Sequence, residues 1–343
     1  MKYTNNVLLK KIHHPAIRAA CMFLLVICCL TGMALPAPAH QVQIPPPPPL
    51  PPGDSLTIEF LDVGQGDAIL ITTPRLRHYL VDAGPHPTRV LDMLRERGIK
   101  HLDGMLLTHP HTDHCGGMPA ILRAISVDTF YESGKIHTAP AYRDTLRAAL
   151  ESGAGYATVR QGDTLAWDPD VLIEVLWPDT PAYRDLNTNS VVMRLTYNCE
   201  SVMLTGDATR RSEEGMLADY PRDFLRTQVL KVAHHGSRGS SCAEFLAAVA
   251  PQACVIQCGQ GNSYGHPSTQ AMERITAQGG MVFRTDQDGT VRLRIDVGMT
   301  VSANTAKRTK VCSMLHNCAE KRRFPTAANP LSPAPAPAGL PAE

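Results

Sequence analysis

Apolar residues in the middle of the chain form short runs of strand length, separated by stretches in which apolar residues recur every three or four positions. The short runs predict strands, and the periodic stretches predict amphipathic helices. Predicted strands cover residues 56–61, 68–72, 79–81, 105–107, 172–176, 190–196, 202–204, 228–232, 254–257, 281–283 and 291–295. Predicted helices cover residues 88–97, 118–125, 142–150, 211–219, 243–248 and 269–276. Because the strand pairs within 56–72 and 190–204 resemble hairpins, we predict an α+β fold with mixed sheets covered by helices.

The two ends of the chain differ in composition from this middle part. Residues 1–39 carry basic residues ahead of an apolar run and end in Ala37-Pro38-Ala39, which is typical of a cleaved signal peptide. Residues 40–54 form a proline-rich linker, which predicts an extended spacer. Residues 55–297 hold the predicted elements, and residues 298–343 form a basic and Pro/Ala-rich tail in which we expect little packed structure and mostly disorder.

The signal peptide predicts where the protein is located. We expect export to the periplasm or secretion, with no stable membrane span after cleavage. An uncleaved N-terminal membrane anchor is the alternative, although the apolar run is short for a span. The formal net charge of +1 excludes neither nucleic acid nor a small substrate, because binding depends on where the charges lie.

The cysteine pattern is informative in an exported chain, where some thiols are expected to pair. Three of the ten cysteines lie in the signal peptide, which leaves seven. An odd number predicts at least one free thiol or a bridge to another molecule. By spacing, the nearest candidate pairs are Cys254 with Cys258 and Cys312 with Cys318.

The densest group of chemically active side chains is the string His109-Pro110-His111-Thr112-Asp113-His114, which directly follows the apolar run 105–107. Imidazoles and carboxylates are ligands of divalent zinc and manganese. A run this short delivers them only from a loop that leaves a strand. We therefore predict a metal site; a polar loop that is rich in histidine by chance is the alternative.

Three further apolar strands run directly into residues that can bind a metal. They end in Asp82-Ala83-Gly84, in Gly206-Asp207 and in His234-His235-Gly236-Ser237. If these strands lie side by side, their ends meet at one edge of a sheet, where loops on a rigid scaffold usually place catalytic groups.

From about Ser55 to Asp296 the chain resembles the metallo-β-lactamase-fold domain at the C-terminus of ComEC-type DNA-uptake competence proteins. The resemblance rests on motifs in the family's order, at residues 60–68 (FLDVGQGDA), 82–84 (DAG), 109–114 (HPHTDH), 189–190 (NS), 206–207 (GD), 234–237 (HHGS) and 264–267 (YGHP). It implies a four-layer αββα sandwich with mixed sheets and with two divalent metal ions, Zn²⁺ or Mn²⁺, at one edge.

The resemblance also implies how the ligands are shared between the two metals. By position, His109 and His111 hold the first metal, whereas Asp113 and His114 hold the second. Asp207 bridges the two.

A histidine from the 234–235 pair completes the second site. Since neighbours on an extended strand face opposite sides, only one of the two can point inward. We predict that His235 is the ligand and that His234 faces substrate. Asp82 is expected to orient a ligand without binding the metal itself.

Several other residues are expected to act on substrate. His234 or His266 is expected to protonate or hold the leaving alkoxide, while a purely structural role in a turn is an equal alternative for His266. Ser237 and Asn189 are predicted to bind substrate, with a structural role in a turn as the equal alternative for Ser237. Many superfamily members have a third histidine on the first metal where this chain has Asn187 and Asn189, so we expect that site to bind its metal more weakly.

These observations predict an exported hydrolase of phosphodiester bonds that depends on two metals, most specifically a DNA or RNA nuclease. Paired cations lower the pKa of a bridging water, supply hydroxide at neutral pH and neutralise charge on the phosphoryl group, a reaction in which Asp113 and Asp207 take part. The alternatives are a small-substrate phosphodiesterase or another esterase of this fold, a lactamase, and a nonenzymatic, metal-stabilised nucleic-acid-binding module.

Overall fold

The computed structural model of the protein describes residues 55–296, 298–304 and 309–314. The predicted signal peptide, the predicted linker and the tail beyond Met314 lie outside the described residues. Within the described part, no helix combines the length and the apolar character that crossing a membrane requires.

Strands and helices alternate along most of the described chain. The strands are β1 (Leu56–Phe60), β2 (Ile69–Thr72), β3 (His78–Val81), β4 (His101–Leu102), β5 (Gly104–Leu107), β6 (Ser126–Val127), β7 (Thr129–Glu132), β8 (Gly155–Thr158), β9 (Leu172–Trp177), β10 (Val192–Tyr197), β11 (Glu200–Leu204), β12 (Val229–Lys231), β13 (Ala253–Ile256), β14 (Met281–Arg284), β15 (Val291–Ile295), β16 (Met299–Asn304) and β17 (Thr309–Met314). The helices are α1 (Arg89–Glu96), α2 (Thr112–Cys115), α3 (Met118–Ala124), α4 (Pro140–Ser152), α5 (Arg210–Asp219), α6 (Arg222–Leu225), α7 (Ala243–Val249), α8 (Thr269–Thr276) and α9 (Thr285–Asp288). Short 3₁₀ turns cover Asn187–Asn189 and Ala233–Gly236.

Most strands belong to two mixed sheets. The larger sheet has the order β17-β16-β15-β1-β2-β3-β5-β7-β8, and the smaller has the order β14-β13-β12-β11-β10-β9. In the larger sheet the pairs from β17 to β3 are antiparallel and the pairs from β3 to β8 are parallel. In the smaller sheet the pairs from β14 to β11 are parallel, and β10 joins β11 and β9 antiparallel.

Alternating side chains place the two sheets face to face. In β2, Ile69 and Ile71 belong to a central core that also contains Val229 and Val255 of the smaller sheet. Leu70, between them in sequence, belongs instead to a second core with helices α1, α3 and α4. A third core packs α5, α7 and α8 against the other face of the smaller sheet. Three cores separate four layers, so the predicted α+β αββα sandwich is confirmed.

The expectation of little packed structure from residue 298 onward is wrong for β16 and β17. Strand β16 forms antiparallel pairs with β15 on one side and with β17 on the other, and these pairs extend the larger sheet. Met299, Val301 and Ala303 are buried in the central core, whereas Thr300 and Ser302 between them are partly exposed. This alternation has the strand period of two, and the basic residues that follow it obscured it in the sequence.

The predicted cysteine pairs are also wrong. Cys254, Cys258 and Cys312 are free thiols, as are Cys115 and Cys242, so the prediction of at least one free thiol is confirmed. Cys254 lies within strand β13, and Cys258 follows four residues later. An extended chain advances about 3.3 Å per residue, which separates the two residues by more than the roughly 7 Å that a disulfide can bridge.

Candidate metal centre

The site is built where strands from both sheets end at one edge of the sandwich. In the larger sheet, β3 pairs in parallel with β5, so that Asp82 and the histidine string leave the sheet side by side. In the smaller sheet, β11 pairs in parallel with β12, which brings Asp207 next to the 234–235 pair. Parallel neighbours end at the same edge of a sheet, and for this reason residues far apart in sequence meet here.

Four side chains, from Asp113, His114, Asp207 and His235, place one potential ligand atom each within 4.8 Å of one another. Asp207 Oδ2 lies 3.3 Å from His114 Nε2 and 3.4 Å from His235 Nε2. Asp113 Oδ2 lies 3.3 Å from His235 Nε2 and 3.9 Å from His114 Nε2. Ligands at about 2.0–2.1 Å from a tetrahedral zinc ion lie roughly 3.4 Å from one another. The four side chains therefore have the spacing of one metal's ligand set.

The ring nitrogens of the two histidines are oriented for this role. His114 Nδ1 lies 2.7 Å from Asp82 Oδ2, and His235 Nδ1 donates to the backbone oxygen of Gln257 at 2.9 Å. Nε2 of each ring is buried without a hydrogen-bond partner among the described residues. A proton on Nδ1 leaves the Nε2 lone pair directed at the shared centre, which fits a divalent cation.

The charges around this centre also favour a cation. Burial opposes charge on each of these groups, yet the Asp207 carboxylate raises the pKa of His114 and of His235 well above the ordinary range. Conversely, His235 and His114 hold the pKa of Asp207 well below its usual value despite complete burial. The Asp207 carboxylate thus stays ionised. A cation at the centre would replace the protons that the histidines otherwise take up.

The predicted first-metal ligands lie beside this group. His109 Nε2 lies 3.0 Å from His111 Nδ1 and 3.8 Å from Asp207 Oδ2. Burial lowers the pKa of both imidazoles, which keeps them neutral as metal binding requires. His109 Nδ1 contacts Ser190 Oγ at 3.3 Å, and Asn187 Nδ2 lies 3.5 Å from His234 Nε2.

Asp82 supports the ligands from behind. Its Oδ1 accepts from the backbone N–H of Thr108 at 2.8 Å, and its Oδ2 accepts from the Thr108 hydroxyl at 2.8 Å as well as facing His114. The residue is completely buried with φ 58°, a left-handed conformation that is uncommon for aspartate and is typical of functional sites. The structure therefore places Asp82 where it fixes the orientation of the His114 ring.

The sequence analysis assigned no role to Asp67 or Lys231, although both are fully buried beside the centre. Lys231 Nζ is ion-paired with Asp67 Oδ2 and donates to the backbone oxygen of Gly206 at 2.9 Å. Asp67 Oδ1 lies 3.3 Å from His235 Nδ1. The available signal was a lysine in the otherwise apolar strand β12, because a buried lysine requires a partner.

Gly66 lets the loop that carries Asp67 approach the histidine string. A Cβ atom at this position would lie 2.2 Å from the backbone oxygen of Asp113, and Gly66 has φ 137°. The N–H of Asp67 donates to that same oxygen at 3.2 Å. Glycine is therefore required for this backbone contact.

His234 and His235 do not lie on an extended strand, so the argument that they face opposite sides rests on a wrong conformation. They belong to the 3₁₀ turn, with φ values of 49° and 54°. The turn nevertheless buries His235 and leaves His234 partly exposed, with its Nε2 3.7 Å from Asp207 Oδ2. The structure thus places His235 in the ligand group and His234 at its open side.

A cleft of about 310 Å³ opens onto the centre. It is lined by Gln65, His111, Thr112, Asp113, Asp207, His234, His235, Tyr264 and His266. His266 packs edge-on against His234 with ring centroids 5.5 Å apart. Burial first, and then the neighbouring His234, lower the pKa of His266 to about 4, and its buried Nδ1 has no hydrogen-bond partner among the described residues. The structure therefore brings His266 to the centre.

Asn189, which was predicted to bind substrate, does not line the cleft. Its side chain is completely buried and donates to the backbone oxygens of Tyr183 and Asp185 at 2.9 and 2.6 Å. Its Oδ1 accepts from the N–H of Tyr183 at 3.2 Å. These bonds fix the loop of residues 183–189 and direct the amide away from the cleft. Ser237, the other predicted substrate ligand, lines an adjoining cavity and not the cleft itself.

Comparison with known protein families agrees with this geometry. The profile of the metallo-beta-lactamase superfamily matches residues 61–259. The chain belongs to the metallo-β-lactamase superfamily. It is thus a metallo-hydrolase by fold, and proteins of this superfamily typically bind two metal ions, for which the chain has candidate ligand groups.

The resemblance to competence proteins is confirmed as well. The chain is 30% identical over 256 residues to ComE operon protein 3 of Bacillus subtilis, an alignment that covers 69% of this chain and 33% of that protein. It is 30% identical over 250 residues to competence protein ComA of Neisseria gonorrhoeae, covering 72% of this chain and 33% of that protein. The chain therefore spans about a third of the length of these relatives.

Among solved structures, the chain is similar to a metallo hydrolase of Ignicoccus hospitalis, with a TM-score of 0.49 and 15% identity over 69% of this chain and 98% of the other. It is also similar to a diphosphatase of the PhnP family, with a TM-score of 0.41 and 12% identity over 71% of this chain and 97% of the other.

Proposed function

We propose that this protein is an exported hydrolase of phosphodiester bonds that uses two divalent cations, Zn²⁺ or Mn²⁺, and that its substrate is DNA or RNA. The observation that carries the proposal is the group of Asp113, His114, Asp207 and His235, whose ligand atoms have the mutual spacing of a metal's coordination shell. The group would hold the second cation, and His109 and His111 would hold the first cation together with Asp207.

When bound, the cations would lower the pKa of a water molecule to supply hydroxide and would neutralise charge on the phosphoryl group. Asp207 Oδ2 lies 3.3–3.8 Å from Nε2 of His109, His114 and His235, so this carboxylate would be shared by the two cations. Asp113 is part-exposed and lines the cleft, so it borders both the centre and the space that is open to a substrate.

The leaving oxygen would be held by imidazole N–H groups. His234 and His266 lie on the substrate side of the centre, and burial lowers the pKa of both. Neutral imidazoles donate a hydrogen bond to a developing alkoxide without carrying a full proton to it. We therefore infer that these two residues would stabilise the leaving oxygen as neutral imidazoles and would not supply it with a full proton.

Two observations favour a phosphodiester over a lactam. The relatives of this chain include a protein named for competence, which supports a nucleic-acid substrate. In addition, Asn187 and Asn189 stand where many superfamily members have a third histidine, and the Asn189 amide is bonded within its own loop, so the first cation would have room to bind a phosphate oxygen.

The direct test incubates the purified protein with single-stranded and double-stranded DNA and RNA in the presence of Zn²⁺ or Mn²⁺. We expect cleavage by the wild type, none after metal removal, and a loss of at least a thousandfold in the Asp113→Ala, Asp207→Ala double variant. Equal cleavage by that variant, or no cleavage by the wild type, would reject the proposal. Bound metal without turnover of any diester would instead support the nonenzymatic binding module.

Export rests on the amino-terminal sequence, and the localisation is tested separately. We expect the mature protein in the periplasm or medium to begin directly after Ala39. Recovery of the intact chain in the membrane fraction would establish the uncleaved anchor instead.

A further inference from the structure

A second cavity of about 480 Å³ adjoins the cleft over the metal centre. Three residues line both the cleft and the second cavity: His234, Tyr264 and His266. The second cavity is further lined by Ser237, Arg238, Ser268 and Gln270. A substrate bound at the centre can therefore continue past His234 and His266 into a larger polar space.

The loop that carries Ser237 and Arg238 is fixed from the protein interior. Arg274 donates to three of its backbone oxygens, those of Arg238, Ser240 and Ser241, at 3.0, 2.8 and 2.8 Å. The buried carboxylate of Glu213 accepts from the N–H of Ser241 at 2.5 Å. These bonds fix the backbone before any ligand binds, which reduces the entropy lost on binding.

The charge of Arg238 is available to a ligand. The residue is exposed, and no carboxylate of the described residues lies within ion-pair distance of its guanidinium group. Arg210, whose N–H donates to the backbone oxygen of Gly239 in the same loop, is by contrast paired with Glu214. A guanidinium group at the wall of a polar cavity matches the two-oxygen geometry of a phosphate.

Tyr264 supplies an aromatic surface on the same cavity. Its side chain is 70% exposed, and its ring stacks on His266 with centroids 5.8 Å apart and planes inclined by 23°. Asn262 fixes the loop by accepting from the N–H groups of Tyr264 and His266 at 3.2 and 3.0 Å. An exposed aromatic ring held rigidly at a cleft is the arrangement that stacks on an unpaired base.

We propose that this second cavity is a nucleotide subsite for single-stranded nucleic acid, in which Arg238 binds the phosphate next to the scissile one and Tyr264 stacks on the adjoining base. The inference rests on the proposed function and makes it more specific. A single strand is required because the face of a base inside a duplex is already stacked and not open to Tyr264. The minimal favoured substrate is then an oligonucleotide with at least two phosphates.

The binding test uses the full-length chain with Asp207→Asn, to suppress cleavage, and a fluorescein-labelled decathymidylate in Zn²⁺ buffer. Arg238→Met is expected to weaken binding about tenfold and to reduce the salt dependence of log K by about 0.7, the value for one contact with a single-stranded phosphate. Tyr264→Ala is expected to weaken binding about tenfold, within the range for loss of one stacked base.

Matched variants separate these contacts from general damage to the protein. Tyr264→Phe keeps the ring and is expected to retain most of the affinity. Arg238→Lys keeps the charge but not the two-oxygen geometry, so it is expected to keep the salt slope and to lose less affinity than Arg238→Met. Arg143→Met removes an exposed arginine on α4, outside both cavities, and should bind as the parent does. No measurable binding, an unchanged salt slope in Arg238→Met, or equal affinity for a duplex would overturn the subsite.

A turnover test distinguishes failure of the subsite from failure of the proposed function. Bis(p-nitrophenyl) phosphate has one diester and no neighbouring phosphate. With Asp207 restored, Arg238→Met and Tyr264→Ala should lower kcat/KM for the decathymidylate at least fivefold more than for this small diester. Equal losses would overturn the subsite while the proposed function stands. If the wild type cleaves neither substrate, the proposed function fails, and the binding results alone decide the subsite.

Discussion

Replacing Lys231 by methionine tests whether a buried ion pair supports the metal centre. The lysine and its partner Asp67 are both fully buried, and methionine keeps the length of the apolar chain while removing the charge. Breaking such a pair by removing one partner costs about 3–5 kcal/mol. His235 and His114 also face Asp67, at 3.3 and 3.9 Å, so they offset part of the loss. We therefore expect a decrease of about 3 kcal/mol in the free energy of unfolding, and a Tm lower by roughly 6–12 °C.

The assay is urea unfolding of metal-free protein followed by circular dichroism. Adding Asp67→Asn to Lys231→Met removes the unpaired charge, and should recover about half of the lost stability. Lys100→Met, at an exposed position, is the control and should change stability by less than about 0.5 kcal/mol. A cost below about 1 kcal/mol for Lys231→Met, with no recovery in the double variant, would refute a supporting role for the pair.

Other predictions concern the ligands and the fold. Asp82→Asn removes the carboxylate behind His114 and should weaken zinc binding about 10–100-fold in chelator competition; a change below threefold would contradict the orienting role. His235→Ala should reduce the metal content from two ions per chain to about one by elemental analysis, and two retained ions would exclude it as a ligand. Burial opposes ionisation of Glu59, but Arg97 lowers its pKa below the ordinary value, so its contribution to stability is present above the unfolded pKa and is lost as pH falls through the folded pKa. The Tm of Glu59→Gln should accordingly fall less than that of the wild type between about pH 5 and pH 3, and parallel curves would contradict this.

The local pattern of apolar residues was sufficient to predict most helices and strands. Predicted strands such as 202–204 and 291–295 lie within or coincide with observed strands. Strand β11 is buried on both faces, which leaves a short continuous apolar run, whereas β15 has one exposed face, which leaves a period of two in the sequence. Strands β7 and β8 were missed. Their residues alternate only weakly, and β8, at the edge of its sheet, is largely exposed, so its apolar positions carry little signal.

Most candidate ligands of the metal centre could also be identified in the sequence. His109, His111, Asp113 and His114 come from one loop after one strand, so their proximity is a property of local chain geometry. That these residues lie close to Asp207 and His235 could be predicted only from the resemblance to a known family, because no local sequence pattern indicates that β5 and β12 end at the same edge.

What a side chain faces was decided by the tertiary structure alone. Asn189 carries the right chemistry for a substrate ligand, but its amide is used by backbone groups of its own loop. Asp67 and Lys231 are 164 positions apart, and their pairing exists only because β12 and the loop after β1 are packed at one edge. The sequence by itself determined the alternating elements and one ligand-rich loop, because these depend on neighbouring residues. The ion pair, the orientation of the amide and the second cavity depend on packing between distant segments, which no local pattern records.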